Sequence, residues 1–392
     1  ARASKIIGMP ITQAQCVTVF ERLGLSFTQS QDGSLTVTPP SWRFDLQIEE
    51  DLIEEVIRVL GYSQLPDTPP LAPVTPRVLS ESRRSTHALR HELAGLGYFE
   101  TINFSFVEER WEHELAGNAN PIRVLNPIAA PLAVMRTSLL GSLVQSLRYN
   151  LSHKATRVRL FELGRIFLRD PSVTDSDTTV AGLSQPMRVA GLAYGDVDPL
   201  QWGTRERVLD FFDVKGDVEA LLTPRVARFV AAEHPAMHPG RCASIEHDGQ
   251  VIGHIGELHP QWRQAYDLPV APVLFELDLA AVLAGKLPMG GRIAKQQSVL
   301  RDIAVIVGET VTHDALMGVI GASSDGLLQS MRLFDVYKPN TPTADMAAGE
   351  RSMAVRLEFL DAQATLTDAR IDGAVQGIVE NLSRQLGARL RR

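Results

Sequence analysis

Trp42-Arg43-Phe44-Asp45-Leu46-Gln47-Ile48-Glu49-Glu50-Asp51-Leu52-Ile53-Glu54-Glu55-Val56-Ile57-Arg58-Val59-Leu60-Gly61-Tyr62 is the stretch on which the reading of this chain turns. Pro39 and Pro40 precede it. From about Gln47 to Leu60 its apolar positions recur at helical spacing, and Gly61 stands where glycine ends helices. Ile48, Leu52, Val56, Val59 and Leu60 share a broad apolar arc with Ile53 and Ile57. Asp51, Glu54 and Glu55 fall on the opposite face at i, i+3 and i+4. Asp45 sits just before the first turn, within reach of that face. Four carboxylates converging on one spot repel one another unless a cation sits between them, and hard oxygen donors suit Mg²⁺ or Ca²⁺. The same spacing also describes a solvated acidic face whose first turn complements the helix dipole.

Upstream, Thr12 and Gln15 form a capping box for a helix ending at Leu23, with Gly24 after it. Short strands flank Asp32-Gly33, a hairpin signal. Helix, hairpin and acidic helix make a winged-helix-like module over residues 1–68. Such modules often bind DNA, but this one holds five Lys+Arg and nine Asp+Glu. A duplex-binding face needs the opposite sign, so a subunit contact is the expected use. Pro66, Pro69, Pro70, Pro73 and Pro76 then make a semi-rigid linker, 69–77.

Residues 78–290 read as a larger α/β unit. A helix is expected over Glu81–Leu96 and a strand over Phe99–Phe106, with Ile102, Phe104 and Phe106 inward. A Leu-rich helix follows Met135-Arg136-Thr137-Ser138. Further strands are expected at Arg157–Phe167, Met187–Tyr194, Cys242–His247, Val251–Gly256 and Val273–Leu277, with a helix after Leu209-Asp210-Phe211-Phe212-Asp213-Val214-Lys215-Gly216. Several strands pair through hairpins, so the sheet should be largely antiparallel. His234, His238, His254 and His259, with Glu257 nearby, suggest zinc at first sight. Pro235 and Pro239 break any helix that would stack the first two, so turn histidines are expected. No Gly-x-Ser-x-Gly elbow supports a Ser-His-Asp site. After the linker Gly285-Lys286-Leu287-Pro288-Met289-Gly290-Gly291, residues 293–392 run strand, helix, strand, strand, helix, strand. That βαββαβ order is the ferredoxin-like unit.

The chain of 392 residues has room for two to four domains. A net charge of −7 argues against indiscriminate nucleic-acid binding and leaves room for a local basic groove. Cys16 and Cys242 form no disulfide or metal pattern, which fits a reducing, cytoplasmic setting. No run of about 18 apolar residues spans a membrane, and the first residues lack the apolar segment of a signal peptide.

Pro39-Pro40-Ser41-Trp42-Arg43-Phe44-Asp45, then Glu49-Glu50-Asp51-Leu52-Ile53-Glu54-Glu55-Val56 and Gly61-Tyr62, closely resemble the winged-helix-like module of the beta subunit of bacterial phenylalanyl-tRNA synthetase. The resemblance extends to Met135-Arg136-Thr137-Ser138-Leu139, Leu160-Phe161-Glu162-Leu163-Gly164-Arg165, Asp213-Val214-Lys215-Gly216 and Gly253-His254-Ile255-Gly256-Glu257-Leu258-His259-Pro260. These resemble that family's catalytic-like domain, which has the fold of class II synthetase cores. Ser298-Val299-Leu300-Arg301-Asp302-Ile303, Phe334-Asp335-Val336-Tyr337 and Thr365-Leu366-Thr367-Asp368 resemble its ferredoxin-like anticodon-binding domain.

The resemblance implies an α+β, multidomain chain that is the C-terminal part of a longer beta subunit. It implies Mg²⁺ held by Asp45, Asp51, Glu54 and Glu55 at a boundary with an alpha subunit. It implies a heterotetramer of two alpha and two beta chains that joins phenylalanine to tRNA(Phe) with ATP. Of the phosphate-binding pattern of a working class II site, Arg159 and Glu162 are an imperfect trace, and the late Gly-rich Glu-Arg segment is missing. The chain by itself is therefore expected to have no catalytic residues, with the active site on the alpha subunit. Residues 293–392 hold eleven Lys+Arg against twelve Asp+Glu, so RNA binding there depends on placed residues. Arg301, Lys338, Arg351, Arg356 and Arg391 are candidates for phosphate or base contacts, with Tyr337 or Phe334 for stacking on loop bases. Two other classes compete: a free-standing nucleic-acid-binding scaffold, which a basic first module would favour, and a metal hydrolase, which lacks an evident nucleophile.

Overall fold

A computed structural model describes residues 1–67, 69, 71–74, 80–285, 287, 289–291, 293–323, 326–339 and 341–391. Pro70 and Pro76 of the first linker, and Lys286 and Pro288 of the second, lie outside the described residues. The chain divides into two units, Ala1–Ser80 and Glu81–Arg392.

In the first unit the Thr12 hydroxyl accepts from the Gln15 N–H, and Gln15 Oε1 accepts from the Thr12 N–H at 2.8 Å. This closes the expected capping box on the helix Gln13–Arg22. Strands Ser26–Gln29 and Leu35–Thr38 pair antiparallel, and Gly33 takes the positive φ of 84° that their turn needs. The acidic helix runs Glu49–Leu60. Val19, Phe20, Leu25, Leu46 and Val56 form the core of this unit. Two positions differ from expectation. Ile48 ends up outside the helix and 59% exposed, and Glu55 is buried rather than on the solvated face. Position 55 adjoins Val56 and Leu52, and two arginines close over it.

In the second unit seven strands form one sheet. Across it they run Arg228–Ala231, Met237–His247, Gln250–Leu258, Val273–Asp278, Met187–Tyr194, Val158–Arg165 and Phe99–Glu100. Every pair is antiparallel except the last, Phe99–Glu100 on Val158–Arg165. The hairpin around Asp248-Gly249 forms as read, with consecutive positive φ of 49° and 76°, the signature of a two-residue primed turn. Helices cover both faces. Phe161, Val189, Phe275 and Leu277 pack on the helices Thr86–Gly95, Phe211–Leu222 and Leu279–Leu283. Leu160, Ala190, Leu192 and Leu274, one residue out of step, pack on the helix Leu140–Ser152. Burial on both faces lets these strands carry apolar residues at consecutive positions, as at Leu160 and Phe161, Val189 and Ala190, and Leu274 and Phe275. Cross-strand partners Gly191 and Phe275 show how tight this is: a Cβ on Gly191 would lie 2.3 Å from the Phe275 ring.

The expected strand Phe99–Phe106 is wrong in extent and in facing. Pairing stops after Phe99–Glu100 and resumes elsewhere as Phe106–Val107, in a small sheet with Val134–Met135 and Ile122–Arg123. Ile102 is 94% exposed and Phe104 67%. The inward side is the polar one: the Thr101 N–H donates to Phe161 O, and Asn103 Nδ2 donates to Glu162 Oε2 at 2.7 Å. A buried carboxylate selected the polar face, and alternation by itself does not say which face is in.

Beyond Val299 the sheet order is Leu328–Tyr337, Glu350–Phe359, Val299–Gly308, Arg389–Leu390, antiparallel throughout. The helices His313–Ala322 and Asp368–Leu386 pack Leu316, Ile320, Ile371, Ile378 and Leu382 against Ile303, Val305, Val307, Val355 and Leu357. This is the expected βαββαβ unit. Both helices pack on one face of the sheet, and Asp302, Ala304, Ile306, Ser352, Ala354 and Arg356 alternate onto the other, where Ile306, Ser352 and Ala354 are buried.

Candidate functional site

Around the acidic helix, each carboxylate has a separate fate. Asp51 Oδ2 accepts from the N–H groups of Gln47 and Ile48 at 2.7 and 2.9 Å, so it caps the helix, and these bonds lower its pKa. Asp45 lies in the fork of Arg43, whose hydrogen bonds lower its pKa. Glu55, 7% exposed, bridges Arg58 and Arg43, and the bond from Arg58 chiefly holds its pKa down. Glu54 is exposed. The donor set is all hard oxygen, which suits Mg²⁺. The arrangement does not: two of the four donors are already held by guanidinium groups. Among the described residues no three His, Cys, Asp or Glu side chains gather as a metal would need.

In the seven-stranded sheet, the two residues that trace a phosphate-binding strand are consumed by internal partners. Arg159 donates to Asp217 Oδ2 at 2.9 Å and to Val197 O at 3.3 Å. The Tyr98 hydroxyl donates to the same Asp217 oxygen at 2.7 Å, and its ring lies 5.4 Å under the Arg159 guanidinium. Burial raises the pKa of Asp217. Glu162 is paired with Arg136 at 2.7 Å, both side chains under 5% exposed. The Asp213-Val214-Lys215-Gly216 segment opens a helix, where Asp213 completes a capping box with Asp210 and pairs with Arg207. The helix Leu140–Ser152 lies over the Glu162 face. The sequence trace was legible; its internal pairing depends on residues 20 to 60 positions away and was not.

His234 and His259 lie in loops, His238 at a strand end and His254 in the middle of the strand Gln250–Leu258. His234 and His254 face each other with ring centroids 5.1 Å apart, and burial lowers the pKa of His234 to about 4. His234, His238 and His259 each accept a backbone N–H two residues on, from Ala236, Gly240 and Gln261. Glu257 is paired with Arg241.

On the ferredoxin-like sheet the candidate residues separate by face. Phe334 stacks with Arg356 at 5.4 Å and Tyr337 with Arg391 at 4.8 Å, both pairs on the face without helices. Arg356 also grips Asp302 with two bonds of 2.8 and 2.7 Å. Arg301 shares the parity of Ile303 and Val305, so it belongs to the helix side, where it meets Asp368 at 3.1 Å. Arg351 likewise follows Met353 and donates to Val311 O at 2.5 Å. Lys338 is ion-paired with Glu309. Sequence reasoning missed Arg332. It is exposed, the cross-strand partner of Arg356, and without an ion-pair partner among the described residues. The alternation Met331, Arg332, Leu333 was the signal that marks it.

Comparison with known proteins places these features. Residues 1–62 match a family described as tRNA synthetase B5 domain, and 65–279 match the phenylalanyl tRNA synthetase beta chain CLM domain. Residues 294–391 match the ferredoxin-fold anticodon binding domain. The chain is 50% identical to phenylalanine–tRNA ligase beta subunits of Cupriavidus pinatubonensis and Burkholderia pseudomallei, and 48% to that of Ralstonia nicotianae. Each alignment covers 100% of this chain and 49% of the relative, so the chain spans about half the length of the curated relatives it matches. A solved pyrrolysyl-tRNA synthetase of Desulfitobacterium hafniense superposes with a TM-score of 0.36 at 12% identity over 70% of this chain and 86% of its own, too low to bear on the fold.

Proposed function

The chain belongs to the phenylalanyl-tRNA synthetase beta-chain family, and from that premise we propose that it acts as part of a cytoplasmic phenylalanine–tRNA ligase, without an active site of its own. In this reading it supports a catalytic alpha subunit, in a heterotetramer of two alpha and two beta chains, and holds tRNA(Phe) during ATP-dependent aminoacylation. The observation that carries it is the succession of three family matches, at 1–62, 65–279 and 294–391, across one chain. The internal pairing of Arg159 and Glu162 supports a scaffolding role for 78–290. The division into modules 1–68, 78–290 and 293–392 follows the same reading.

The module 293–392 would bind RNA through its helix-free sheet face. Phe334 and Tyr337 offer rings for splayed bases, and Arg332, Arg356 and Arg391 offer charge to phosphates or base edges. A neutral module gains little from bulk charge, so these placed residues have to supply the contacts. Asp45, Asp51, Glu54 and Glu55 would take Mg²⁺ once Arg43 is moved aside. The exposed edge carrying Phe99, Ile102 and Phe104 is an apolar patch suited to cover by the alpha chain.

Co-expression with a phenylalanyl-tRNA synthetase alpha subunit tests this. The two chains are expected to co-elute, and Ile102→Glu to separate them. Independent elution of the wild-type chain would defeat the reading.

A further inference from the structure

Residues 101–105 belong to no strand, yet they hold one facing: Thr101, Asn103 and Ser105 are half-buried, and Ile102 and Phe104 are exposed. Asn103 Nδ2 donates to Glu162 Oε2 at 2.7 Å, and Asn103 Oδ1 accepts from the Ser146 hydroxyl at 3.3 Å. Arg136 Nη1 pairs with Glu162 Oε1 at 2.7 Å and donates to Phe104 O at 3.5 Å. The Arg136 N–H donates to Ser105 O at 3.0 Å. Glu162 and Arg136 therefore grip three successive residues, Asn103, Phe104 and Ser105, from their inner side.

Three features of this arrangement work against the stability of the free chain. The ion pair is buried, where an apolar pair of similar volume is often neutral or stabilising. Gly164, buried in its strand, admits the guanidinium: a Cβ there would run into Arg136 Nη2, and glycine weakens a strand interior. Ile102 and Phe104 stay in water, although turning the segment over by one residue would bury them. All three follow from one requirement, that the apolar side chains at 102 and 104 point outward. Local rules broken together for one outcome mark a functional demand.

We propose that Arg136, Glu162 and Asn103 are positioning residues for assembly. They hold the edge carrying Phe99, Ile102 and Phe104 outward in the free chain, so that the alpha subunit meets a preset surface. The proposal rests on the reading of that edge as the one the alpha subunit covers. Presetting the edge removes an ordering cost from association. Folding and assembly then make different demands on the same residues, and substitution separates them.

The test is association of the 392-residue chain with a phenylalanyl-tRNA synthetase alpha subunit, followed by sedimentation, beside the urea midpoint of each chain. Arg136→Met with Glu162→Leu makes the inner side apolar. The urea midpoint is expected to stay close to that of wild type, while affinity for the alpha subunit falls roughly tenfold or more. In the chain alone, the thiol of Ile102→Cys is expected to label rapidly with the pair intact and slowly in the double variant. A folded double variant with wild-type affinity, or with unchanged labelling at position 102, overturns the proposal. A milder pair decides the matter if the double variant does not fold. Asn103→Asp sets a second carboxylate against Glu162 and should lower affinity. Adding Glu162→Gln restores one carboxylate facing one carboxamide and should return affinity to within about threefold of wild type. No loss in the first, or no recovery in the second, overturns the proposal. Ile102→Glu separates the proposal from the reading beneath it. Association lost there but kept in the folded double variant overturns the proposal alone; association kept in both overturns the reading and the proposal with it.

Discussion

Removing the two rings from the helix-free sheet face of residues 293–392 separates this account from one in which any arginine of the module serves. Phe334 is 53% exposed and Tyr337 41%, and each is held by a guanidinium, Arg356 at 5.4 Å and Arg391 at 4.8 Å. An RNA base meeting either ring finds a platform already fixed in orientation. Stacking on such a side chain is worth about 1–3 kcal/mol per base, or roughly 5- to 150-fold in affinity. Tyr337→Ala and Phe334→Ala, each in the chain assembled with an alpha subunit, should weaken tRNA(Phe) binding by amounts in that range. The weakening should barely change with salt, because stacking releases no counterions. Arg391→Ala should instead flatten the log–log salt slope by about one. Arg301→Ala is the internal control. Its charge is held by Asp368 on the helix side, so affinity should stay within about twofold. The assay is tRNA binding by filter retention across a salt series. Ring variants that bind like wild type, or an Arg301→Ala loss as large as theirs, would refute the assignment of this face.

Other consequences follow from the second unit. Arg136→Met strands the buried Glu162 carboxylate with only Asn103 as a partner, so denaturant unfolding should show a loss of about 3–5 kcal/mol; adding Glu162→Leu should recover much of it. His234 keeps its proton off until about pH 4 in the native chain, against 6.5 unfolded. The unfolded state therefore binds more protons between those values, and stability falls by about 3 kcal/mol as pH drops from 6.5 to 4. His234→Gln should flatten that part of the stability–pH curve measured by urea unfolding. Gly191→Ala drives a methyl into the Phe275 ring and should cost about 1–3 kcal/mol by the same measurement.

Much of this was legible in the sequence because local signals agreed with tertiary demands. Thr12 with Gln15, Asp248-Gly249 and the βαββαβ alternation of 299–390 each specify their element within a few residues. The failures have a common cause. Ile102 and Phe104 alternate as a strand should, but the inward face was decided by Glu162, about 60 positions on. Glu55 sits on a helix whose spacing makes it solvent-facing, and its burial depends on Arg43 from a preceding loop. For Arg301 and Arg351 the sequence does not show their side of the sheet, which strand parity gives as the helix side, beside Asp368 and the Val311 carbonyl. Periodicity reports that two faces differ. Which one is buried, and which charge is already matched, are properties of residues distant in the chain.

The proposed role of this chain is to serve a phenylalanine–tRNA ligase without carrying its chemistry. Phenylalanine-dependent exchange of pyrophosphate into ATP tests it most directly, measured on the chain free of alpha subunit and again after reconstitution. The account predicts no exchange above background for the isolated chain and robust exchange for the reconstituted complex. Exchange by the isolated chain, lost in Arg159→Ala, would contradict it.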